Sequence, residues 1–548
     1  MGGRPMKLNL MSRLLQKTQQ LPPPLTRDVT VHRNLRVPMR DGVELVADHW
    51  FPKSGAEGLP TVLIRTTYGS HTSATYPLAR PIAERGFQVF ITNARGTFGS
   101  GGTFDPLRPE RDDGLDTLDW ILKQPWFGDS ILLYGPSYLG YTQWAVADQV
   151  PPQVKAMIPI QSESATLLEF LRSDGFALEI PFIWGFVVDG QERPLALLRH
   201  PGLAGRRKMN RLIASLPLNT ADQRGVGHRI DYIQDMLAHD AASPYWARAD
   251  HSARVADVTI PVSSIAGWHD FFLPGQLRDF TALQAAGRPA RLTVGPWAHS
   301  MTAEPIKLGM QELLDFGLAH ARGEQPGDRA PVRLFVQGLE EWRDFASWPP
   351  EGYSPQRFQL QPGGGLSTDD PAASAPDGYR YDPADPTPAV GGSRFQTNTG
   401  SVDNTRLEAR PDVLTYTTPP LDHDVEIIGD VDAEIWFRSS LPFADVFVRV
   451  CDVRTDGRSF NVTDGLTSLT DADRDTCARV RLFATAHRFK QGHRIRVQIS
   501  SGAFPRYNRN PGTGEPRGSA TTLRAASQTV FHDETHPSAV ILPVRRGD

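Results

Sequence analysis

The sequence predicts an α/β fold followed by an all-β domain. Apolar runs typical of buried strands alternate with helix-like segments over residues 61–160, and the same alternation resumes at residue 261. Beyond residue 392, short strand-like runs recur between turn residues. Apolar strands that alternate with helices form a mostly parallel sheet covered on both faces. Short, evenly spaced strands instead indicate a sandwich or a jelly roll.

The N-terminal part starts with a hairpin signal. Residues 29–52 alternate apolar and polar side chains around Asp41-Gly42, a dipeptide that favours a tight turn between two strands. Buried strands are then predicted at 61–64, 87–92, 131–134, 156–160, 261–266 and 291–294. Helices are predicted at 77–85, 115–123 and 141–149.

The interval 162–256 interrupts this alternation. It contains helix-like runs at 165–171 and 232–239 and no alternating strand, which predicts a helical cap above the sheet. Its aromatic stretch at 176–186 could line a pocket, although packing inside the cap is the commoner role of such side chains.

The composition changes again after Trp348-Pro349-Pro350. Loops rich in Gly, Asp, Pro and Ala precede strands predicted at 426–428, 433–437, 446–450 and 495–499. The predicted domain limits are therefore 1–161 and 257–350 for the two parts of the α/β core, 162–256 for the cap and 351–548 for the β domain.

Composition excludes several classes of function. With 548 residues, 39% hydrophobic and 22% charged, the chain has the make-up of a soluble globular enzyme. A net charge of −4 gives no basic footprint for nucleic acid, and no run of about 18 apolar residues could span a membrane. Residues 1–25 lack the apolar core of a signal peptide.

The two cysteines, Cys451 and Cys477, are too few for a disulfide framework or a cysteine zinc site. We expect free thiols in a reducing, cytoplasmic compartment, with a single bridge left open. No metal-ligand spacing is present, and no cofactor is expected. The glycine-rich loop at 94–102 lacks the ending that holds phosphate, so we interpret it as a turn in which Arg95 pairs with a carboxylate.

Residues 130–140, Ser-Ile-Leu-Leu-Tyr-Gly-Pro-Ser-Tyr-Leu-Gly, join an apolar strand to a sharp turn and a helix-like run. This order is typical of a nucleophile elbow, in which a tight turn exposes a serine, here Ser137. Gly135 and Gly140 provide the small residues that such a turn needs. Leu139 stands where the pattern Gly-x-Ser-x-Gly has its second glycine. An ordinary strand–helix turn is therefore the alternative.

A serine nucleophile needs a base and an acid that orients the base. In α/β-hydrolases the chain order is serine, acid, histidine. Asp270 and His299 fit that order, and each lies just beyond the carboxyl end of a predicted strand, where α/β active sites form. His269 is a rival base, but it precedes the acid and adjoins it in sequence.

Acyl transfer also needs donors for the oxyanion. The backbone N–H of Tyr138, directly after the nucleophile, is one candidate. The phenol of Tyr68, in the loop after the 61–64 strand, is the second. Packing of Tyr68 within its turn is the alternative.

These motifs together resemble the family of bacterial cocaine esterase, α-amino acid ester hydrolases and X-Pro dipeptidyl-peptidases. The matching segments are residues 39–42, 67–68, 94–96, 124–126, 135–140, 267–270, 295–299, 381–386 and 456–459. The family's serine motif is Gly-x-Ser-Tyr-x-Gly, which accounts for Gly140. Asn93 departs from the aspartate that relatives often carry before the Arg-Gly pair.

The resemblance implies an α/β-hydrolase core with a helical cap insertion and a C-terminal jelly-roll, galactose-binding-like domain. It also implies Ser137, Asp270 and His299 as the catalytic triad. The Tyr68 hydroxyl and the Tyr138 N–H would form the oxyanion hole.

Within that family the cocaine-esterase branch is the most similar. α-Amino acid ester hydrolases place acidic residues just after the catalytic aspartate to hold a substrate ammonium, whereas this chain has Phe271-Phe272-Leu273. An apolar wall favours an aromatic or aliphatic acyl group. The predicted substrate-binding residues are Trp184, Trp268, Phe271 and Phe272. The acids Asp174, Glu179 and Asp189 could still supply an ammonium partner.

The expected function is a serine hydrolase of carboxylic esters with a small-molecule ester or amide substrate. An X-Pro dipeptidyl-peptidase or amidase that acts on amino-terminal substrates is the alternative. A non-catalytic carbohydrate-binding protein is a third, which the intact serine, aspartate and histidine disfavour. A homodimer stays open.

Overall fold

The computed structural model describes residues 12–72, 74–165, 177–192, 203–240, 242–299, 303–395 and 398–547. Within these residues, ten strands form one sheet in the order β1-β2-β4-β3-β5-β6-β7-β8-β9-β10. The strands are β1 (Val29–Pro38), β2 (Glu44–Pro52), β3 (Thr61–Thr66), β4 (Gln88–Asn93), β5 (Ile131–Pro136), β6 (Val154–Ile160), β7 (Val262–His269), β8 (Ala290–Ala298), β9 (Val332–Val336) and β10 (Glu341–Phe345).

The centre of this sheet is parallel, from β4 to β9, whereas β1, β2 and β10 are antiparallel to their neighbours. Every residue of β3, β4 and β5 is buried. Because parallel strands are covered on both faces, they have continuous apolar runs rather than alternating ones. The predicted α/β core and its N-terminal hairpin are therefore confirmed.

Besides a helical stretch at residues 12–18, further described helices connect and flank these strands. They are α1 (Tyr76–Ala83), α2 (Glu110–Leu122), α3 (Tyr138–Trp144), α4 (Glu179–Gly190), α5 (Leu203–Ile213), α6 (Ala221–Val226), α7 (Asp231–Ala238), α8 (Leu273–Ala285), α9 (Ala303–Glu312), α10 (Leu318–Arg322) and α11 (Thr405–Glu408). Four of them, α4 to α7, fall between β6 and β7 in the chain. The helix predicted at 165–171 lies outside the described residues except at its first position.

The predicted helix at 141–149 was misplaced. Helix α3 begins at Tyr138, directly after Ser137, and ends at Trp144. The sequence pattern missed the first turn because Leu139 and Gly140 follow the serine without a helix-start signal. The early start matters, because it puts the first N–H groups of α3 beside the serine.

The C-terminal part is mostly β, as predicted. Its strands are β11 (Tyr353–Gln361), β12 (Gly365–Ser367), β13 (Asp377–Tyr381), β14 (Leu414–Thr417), β15 (Val425–Ser439), β16 (Ala444–Val453), β17 (Ser459–Leu469), β18 (Thr476–Phe489), β19 (Arg494–Ser500), β20 (Ala526–Val530) and β21 (Ala539–Arg545). They pair in the order β13-β20-β15-β21-β11-β12-β14-β19-β16-β17, and β18 pairs with β15.

The strands predicted at 426–428 and 433–437 are one strand, β15. A register shift against β18 lies between Gly429 and Val431, so an irregularity rather than a turn separates the two apolar runs. The strand alternates buried and exposed residues after that point, with one face towards the core of the β domain.

The β domain contacts the α/β sheet through the buried carboxylate of Glu426. Glu426 of β15 accepts hydrogen bonds from Arg343 of β10 and Arg488 of β18, at 2.9 and 2.6 Å. The hydroxyl of Tyr353 donates to the same carboxylate at 2.6 Å. The carboxylate is buried, and its three donors replace the water that it loses.

Candidate active site

The turn between β5 and α3 holds Ser137 in a rare backbone conformation. Its φ and ψ are 57° and −124°. Such a conformation costs of the order of 1–3 kcal/mol for a non-glycine residue and persists only when the surroundings impose it. Here the Ser137 N–H donates to the carbonyl of Ile160 at 2.8 Å, and the Ser137 carbonyl accepts from the N–H groups of Gly140 and Tyr141. The turn is thus fixed by the neighbouring strand β6 and by the first turn of α3.

Two glycines are required by the close approach of strand and helix. A Cβ on Gly135, whose φ is +147°, would lie 2.5 Å from the Cβ of Leu139. A Cβ on Gly140 would lie 2.5 Å from the Cβ of Ser162. Because neither neighbour is the end of a flexible side chain, any larger residue would push α3 away from the sheet and displace Ser137.

A hydrogen-bonded relay runs from Ser137 to Asp270. The His299 Nε2 and the Ser137 Oγ are 3.0 Å apart, and the His299 Nδ1 lies 2.9 Å from an Asp270 carboxylate oxygen. A neutral imidazole has a single N–H, so a bond from Nδ1–H to the carboxylate leaves Nε2 to accept the serine proton. The sheet brings the three together because β7 and β8 are neighbours and both lie on the same side of β5.

Asp270 is fully buried and is held from a second direction. Its other carboxylate oxygen accepts the backbone N–H of Phe272 at 2.8 Å. The rings of Phe271 and Phe272 pack on the imidazole of His299, with centroids 4.2 and 5.1 Å away. These contacts exclude water from the carboxylate–imidazole pair and restrict the rotation of the ring.

Two hydrogen-bond donors lie near the serine hydroxyl, namely the Tyr68 hydroxyl and the backbone N–H of Tyr138. The indole N–H of Trp184 donates to the Tyr68 hydroxyl oxygen at 2.9 Å, which leaves the phenol proton for another acceptor. Burial raises the pKa of Tyr68, and hydrogen bonds with Trp184 and Ser137 oppose that rise. The N–H of Tyr138 is the first of α3, a position at which a helix N–H has no partner within the helix.

The side chain of Tyr138 is anchored behind the turn. Its hydroxyl donates to the Glu110 carboxylate at 2.6 Å and accepts from the N–H of Leu107 at 3.1 Å. Arg65 pairs with the same carboxylate at 2.6 Å. Burial raises the pKa of Glu110, and the charge of Arg65 opposes that rise. The ring of Tyr138 stacks on Trp184, with centroids 5.9 Å apart and 15° between the planes.

The serine opens on a small cavity of about 60 Å³, which we term the catalytic cavity. Apart from Ser137 and His299, its lining is apolar or aromatic: Pro106, Leu107, Tyr138, Ile180, Pro181, Trp184, Tyr232, Phe271, Phe272 and Phe395. Trp184, Phe271 and Phe272 therefore lie where the sequence predicted a substrate wall.

Phe395 comes from the β domain and is a lining residue that the sequence patterns do not predict. It is 6.3 Å from the Phe271 and His299 rings, centroid to centroid. The adjacent Arg394 makes two hydrogen bonds with the buried Glu179 of α4, at 2.9 and 3.2 Å. This ion pair fixes the Phe395 loop to the helix that carries Trp184. No local pattern marks these residues, because the contact joins positions more than 200 residues apart.

Two predicted or rival site residues lie elsewhere. The indole N–H of Trp268 donates to the Phe335 carbonyl at 2.7 Å, and its ring packs near Trp348, so it does not line the catalytic cavity. Trp268 and Asp270 are two positions apart, but the strand ends between them, and only the aspartate faces His299. His269 bonds Gln337 at 2.8 Å, and burial lowers its pKa to about 4.

The Arg95 loop and the two cysteines are among the described residues. Arg95 pairs with Asp113 and Asp41, at 2.6 and 2.7 Å, as the loop prediction required. Cys451 and Cys477 are not bonded to each other. Among the described residues there is no cluster of three metal-ligating side chains. No described helix is both long and apolar enough to cross a membrane.

Two family models match the chain. The model of X-Pro dipeptidyl-peptidase of the S15 family matches residues 41–301, and that of the X-Pro dipeptidyl-peptidase C-terminal non-catalytic domain matches residues 327–541. Cocaine esterase of a Rhodococcus species is 31% identical, over 94% of this chain and 98% of that protein.

Solved structures agree with the fold. An α-amino acid ester hydrolase superposes with a TM-score of 0.79 at 22% identity, over 95% of this chain and 97% of the other. An aminopeptidase of a marine sediment Thaumarchaeota archaeon superposes with a TM-score of 0.79 at 23% identity, over 94% of this chain and 97% of the other. At these identities the likeness shows the fold alone, an α/β-hydrolase-like core with a mostly β C-terminal domain.

The fold, the site geometry and the relatives define a serine hydrolase. The chain belongs to the family of serine hydrolases that contains cocaine esterase and the S15 X-Pro dipeptidyl-peptidases.

Proposed function

We propose that this protein hydrolyses carboxylic esters with neutral apolar or aromatic acyl groups through an acyl-enzyme on Ser137. The observation that carries the proposal is the relay of Ser137, His299 and Asp270, which opens on a cavity lined otherwise by apolar and aromatic side chains. The roles of the individual residues follow from their contacts.

In the first step the Ser137 Oγ attacks the ester carbonyl carbon, and its proton passes to the Nε2 of His299. Asp270, bonded to Nδ1, stabilises the imidazolium that forms. The carbonyl oxygen becomes an oxyanion. The Tyr68 hydroxyl and the Tyr138 N–H are positioned to donate to it, and such donors contribute most where charge develops in a dry site.

The tetrahedral intermediate then collapses. The bond to the alcohol oxygen breaks, and the imidazolium gives its proton to that oxygen, so a neutral alcohol leaves. Water next attacks the acyl-enzyme with His299 as base. The second collapse releases the carboxylic acid and returns the proton to Ser137.

The preference for neutral acyl groups follows from the absence of a carboxylate partner for a substrate ammonium among the described residues of the catalytic cavity. A substrate ammonium would find no carboxylate among the described residues that line the catalytic cavity. Glu179 is paired with Arg394, and Asp189 accepts from His228 at 2.7 Å. Asp174 lies outside the described residues. A buried charge without a partner costs several kcal/mol, so neutral acyl groups are favoured over the amino-terminal substrates of a peptidase.

We assign residues 1–161 and 257–350 to the hydrolase core, 162–256 to a helical cap and 351–548 to a jelly-roll, galactose-binding-like domain. The position of α4 to α7 between β6 and β7 supports the cap, and the unpaired cysteines support a cytoplasmic location. A homodimer stays a prediction.

The decisive experiment is a hydrolysis panel with p-nitrophenyl acyl esters, benzoyl esters and Ala-Pro anilides. We expect kcat/KM for the neutral esters to exceed that for the anilides by orders of magnitude, with all activity lost in Ser137→Ala. Faster turnover of the anilides would instead support the X-Pro dipeptidyl-peptidase alternative.

Phe272→Ala tests the acyl wall. This variant should lose the preference for benzoyl over acetyl esters, because the ring lines the catalytic cavity. Phe280→Ala is the matched control, since it removes a buried ring of α8 that is not part of that lining. An equal change of preference in both variants would contradict the assignment of Phe272.

A further inference from the structure

A second and much larger cavity lies between the α/β core and the β domain. We term it the interdomain cavity. Its volume is about 440 Å³, within the range of roughly 300–1,000 Å³ that small-molecule sites occupy. Helix α8 and strands β17 and β18 form its walls. Its lining includes Ile180, Phe271, Thr281, Phe483, Arg481 and Arg506.

The interdomain cavity shares a wall with the catalytic cavity. Phe271 and Ile180 line both. Because the Phe271 ring also packs on His299 at 4.2 Å, an occupant of the interdomain cavity would contact the far side of the wall that supports the histidine. The two spaces are therefore adjacent but separated by side chains.

The interdomain cavity is lined by both apolar and polar side chains, with an excess of positive charge. Its ionic side chains are Arg278, Arg481 and Arg506 against Asp430. Arg278 is held by Asp279, at 3.0 Å. Arg481, on the exposed side of β18, lies opposite Asp432 of β15; burial raises the pKa of that carboxyl, and the charge of Arg481 opposes the rise.

Arg506 is the buried cation of the cavity. Its Nη1 donates to Asp464, which also pairs with Arg449 at 2.8 Å, so two guanidinium groups share one carboxylate. Its Nη2 is buried and has no hydrogen-bond partner among the described residues. The rings of Phe483 and Tyr507 lie 5.3 and 4.8 Å from the guanidinium carbon. Glu179 is a further carboxylate near Arg506, but it is paired with Arg394. The cluster of Arg394, Arg449 and Arg506 against Asp464 and Glu179 therefore keeps one positive charge, which an anion in the cavity would balance.

We propose that the interdomain cavity binds a carboxylate carried on a short apolar chain or ring. The apolar part would pack against Phe271, Ile180 and Phe483, and the carboxylate would accept from Arg481 and Arg506. The acid released by ester hydrolysis belongs to this chemical class. The site itself does not depend on the proposed reaction, and its test measures binding rather than turnover.

The test is calorimetric titration of the full-length protein with octanoate, octan-1-ol and octylamine, three ligands of equal chain length and different charge. We expect octanoate to bind at least tenfold more tightly than the other two, because only its carboxylate meets the guanidinium groups. Equal binding of octan-1-ol would overturn the proposal, since the cations would then play no part.

Arg481→Gln should weaken octanoate binding by about tenfold. Arg479→Gln is the matched control: it makes the same charge change two residues away on β18 and is not among the residues that line the cavity. Thr281→Trp, at an exposed position of α8 that borders the cavity, should block binding by filling space. The site would be refuted if Arg481→Gln and Thr281→Trp left the octanoate affinity unchanged. It would also be refuted if the control Arg479→Gln reduced that affinity as much as Arg481→Gln does.

Discussion

Tyr68→Phe removes one hydroxyl from the candidate oxyanion hole and keeps the ring. The phenol oxygen accepts the Trp184 N–H at 2.9 Å, and this bond orients its proton away from the indole. A side-chain donor to an oxyanion is worth about 3–4 kcal/mol. We therefore expect kcat to fall about 10²–10³-fold with little change in KM, because the bond strengthens only as negative charge develops on the substrate.

Trp184→Phe tests the same donor indirectly. It keeps an aromatic ring but removes the N–H that orients the phenol, and a typical hydrogen bond contributes about 1 kcal/mol. On its own it should lower kcat about fivefold. In the Tyr68→Phe background it should lower kcat no further, because no hydroxyl is left to orient.

Steady-state kinetics with p-nitrophenyl esters measures these effects, and Tyr232→Phe is the matched control. Tyr232 lines the same catalytic cavity, but its hydroxyl donates to the Pro181 carbonyl at 2.7 Å. Its loss should leave kcat within a fewfold of the original value. A kcat for Tyr68→Phe equal to that of Tyr232→Phe, or an effect on KM alone, would refute the role of Tyr68.

Three further predictions concern the relay, the buried ion pair and pH. Ser137→Ala and His299→Ala should each lower kcat by about 10⁴–10⁶-fold. The double variant should lower it little further, because the residues act as a unit. Additive losses in single-turnover assays would contradict this prediction. Glu110→Ala should lower the free energy of unfolding by about 3–5 kcal/mol, because it leaves the charge of Arg65 buried without its partner. Urea titrations measure this change. A loss below about 1 kcal/mol would contradict a stabilising role of the ion pair. Burial lowers the pKa of His269 from 6.5 to about 4. As pH falls, His269 is therefore protonated in the unfolded chain before it is protonated in the folded one, and the free energy of unfolding decreases from about pH 6.5 downwards. Between pH 7 and pH 4.5 the original protein should lose about 2–3 kcal/mol more than His269→Gln, and equal losses would exclude this contribution.

The sheet could be predicted because its signals are local. Continuous apolar runs mark β3 to β6 as buried parallel strands, and each run is complete within a few residues. The start of α3 could not be predicted in the same way. The strained backbone of Ser137 is imposed by Ile160 of a neighbouring strand, and a contact between strands leaves no mark on the local sequence.

The order of Ser137, Asp270 and His299 along the chain, together with strand ends before the latter two, was sufficient to nominate them from sequence. The same reasoning failed for Trp268, because the residues near a strand end point in different directions and only packing decides which face the site. The anchoring of Tyr138 by Glu110 and Arg65 was equally invisible, since none of the three is adjacent to another in sequence.

The sequence by itself determined the fold class, the family and the chemical type of the site, because these depend on short motifs and on the order of strands. The tertiary structure alone decided the shape of the catalytic cavity and the presence of the interdomain cavity. Phe395 reaches His299 from the β domain, held by the ion pair of Arg394 with Glu179, and Phe271 separates the two cavities. Such walls arise where distant segments pack together, and the free energy of that packing depends on the whole fold rather than on any local pattern.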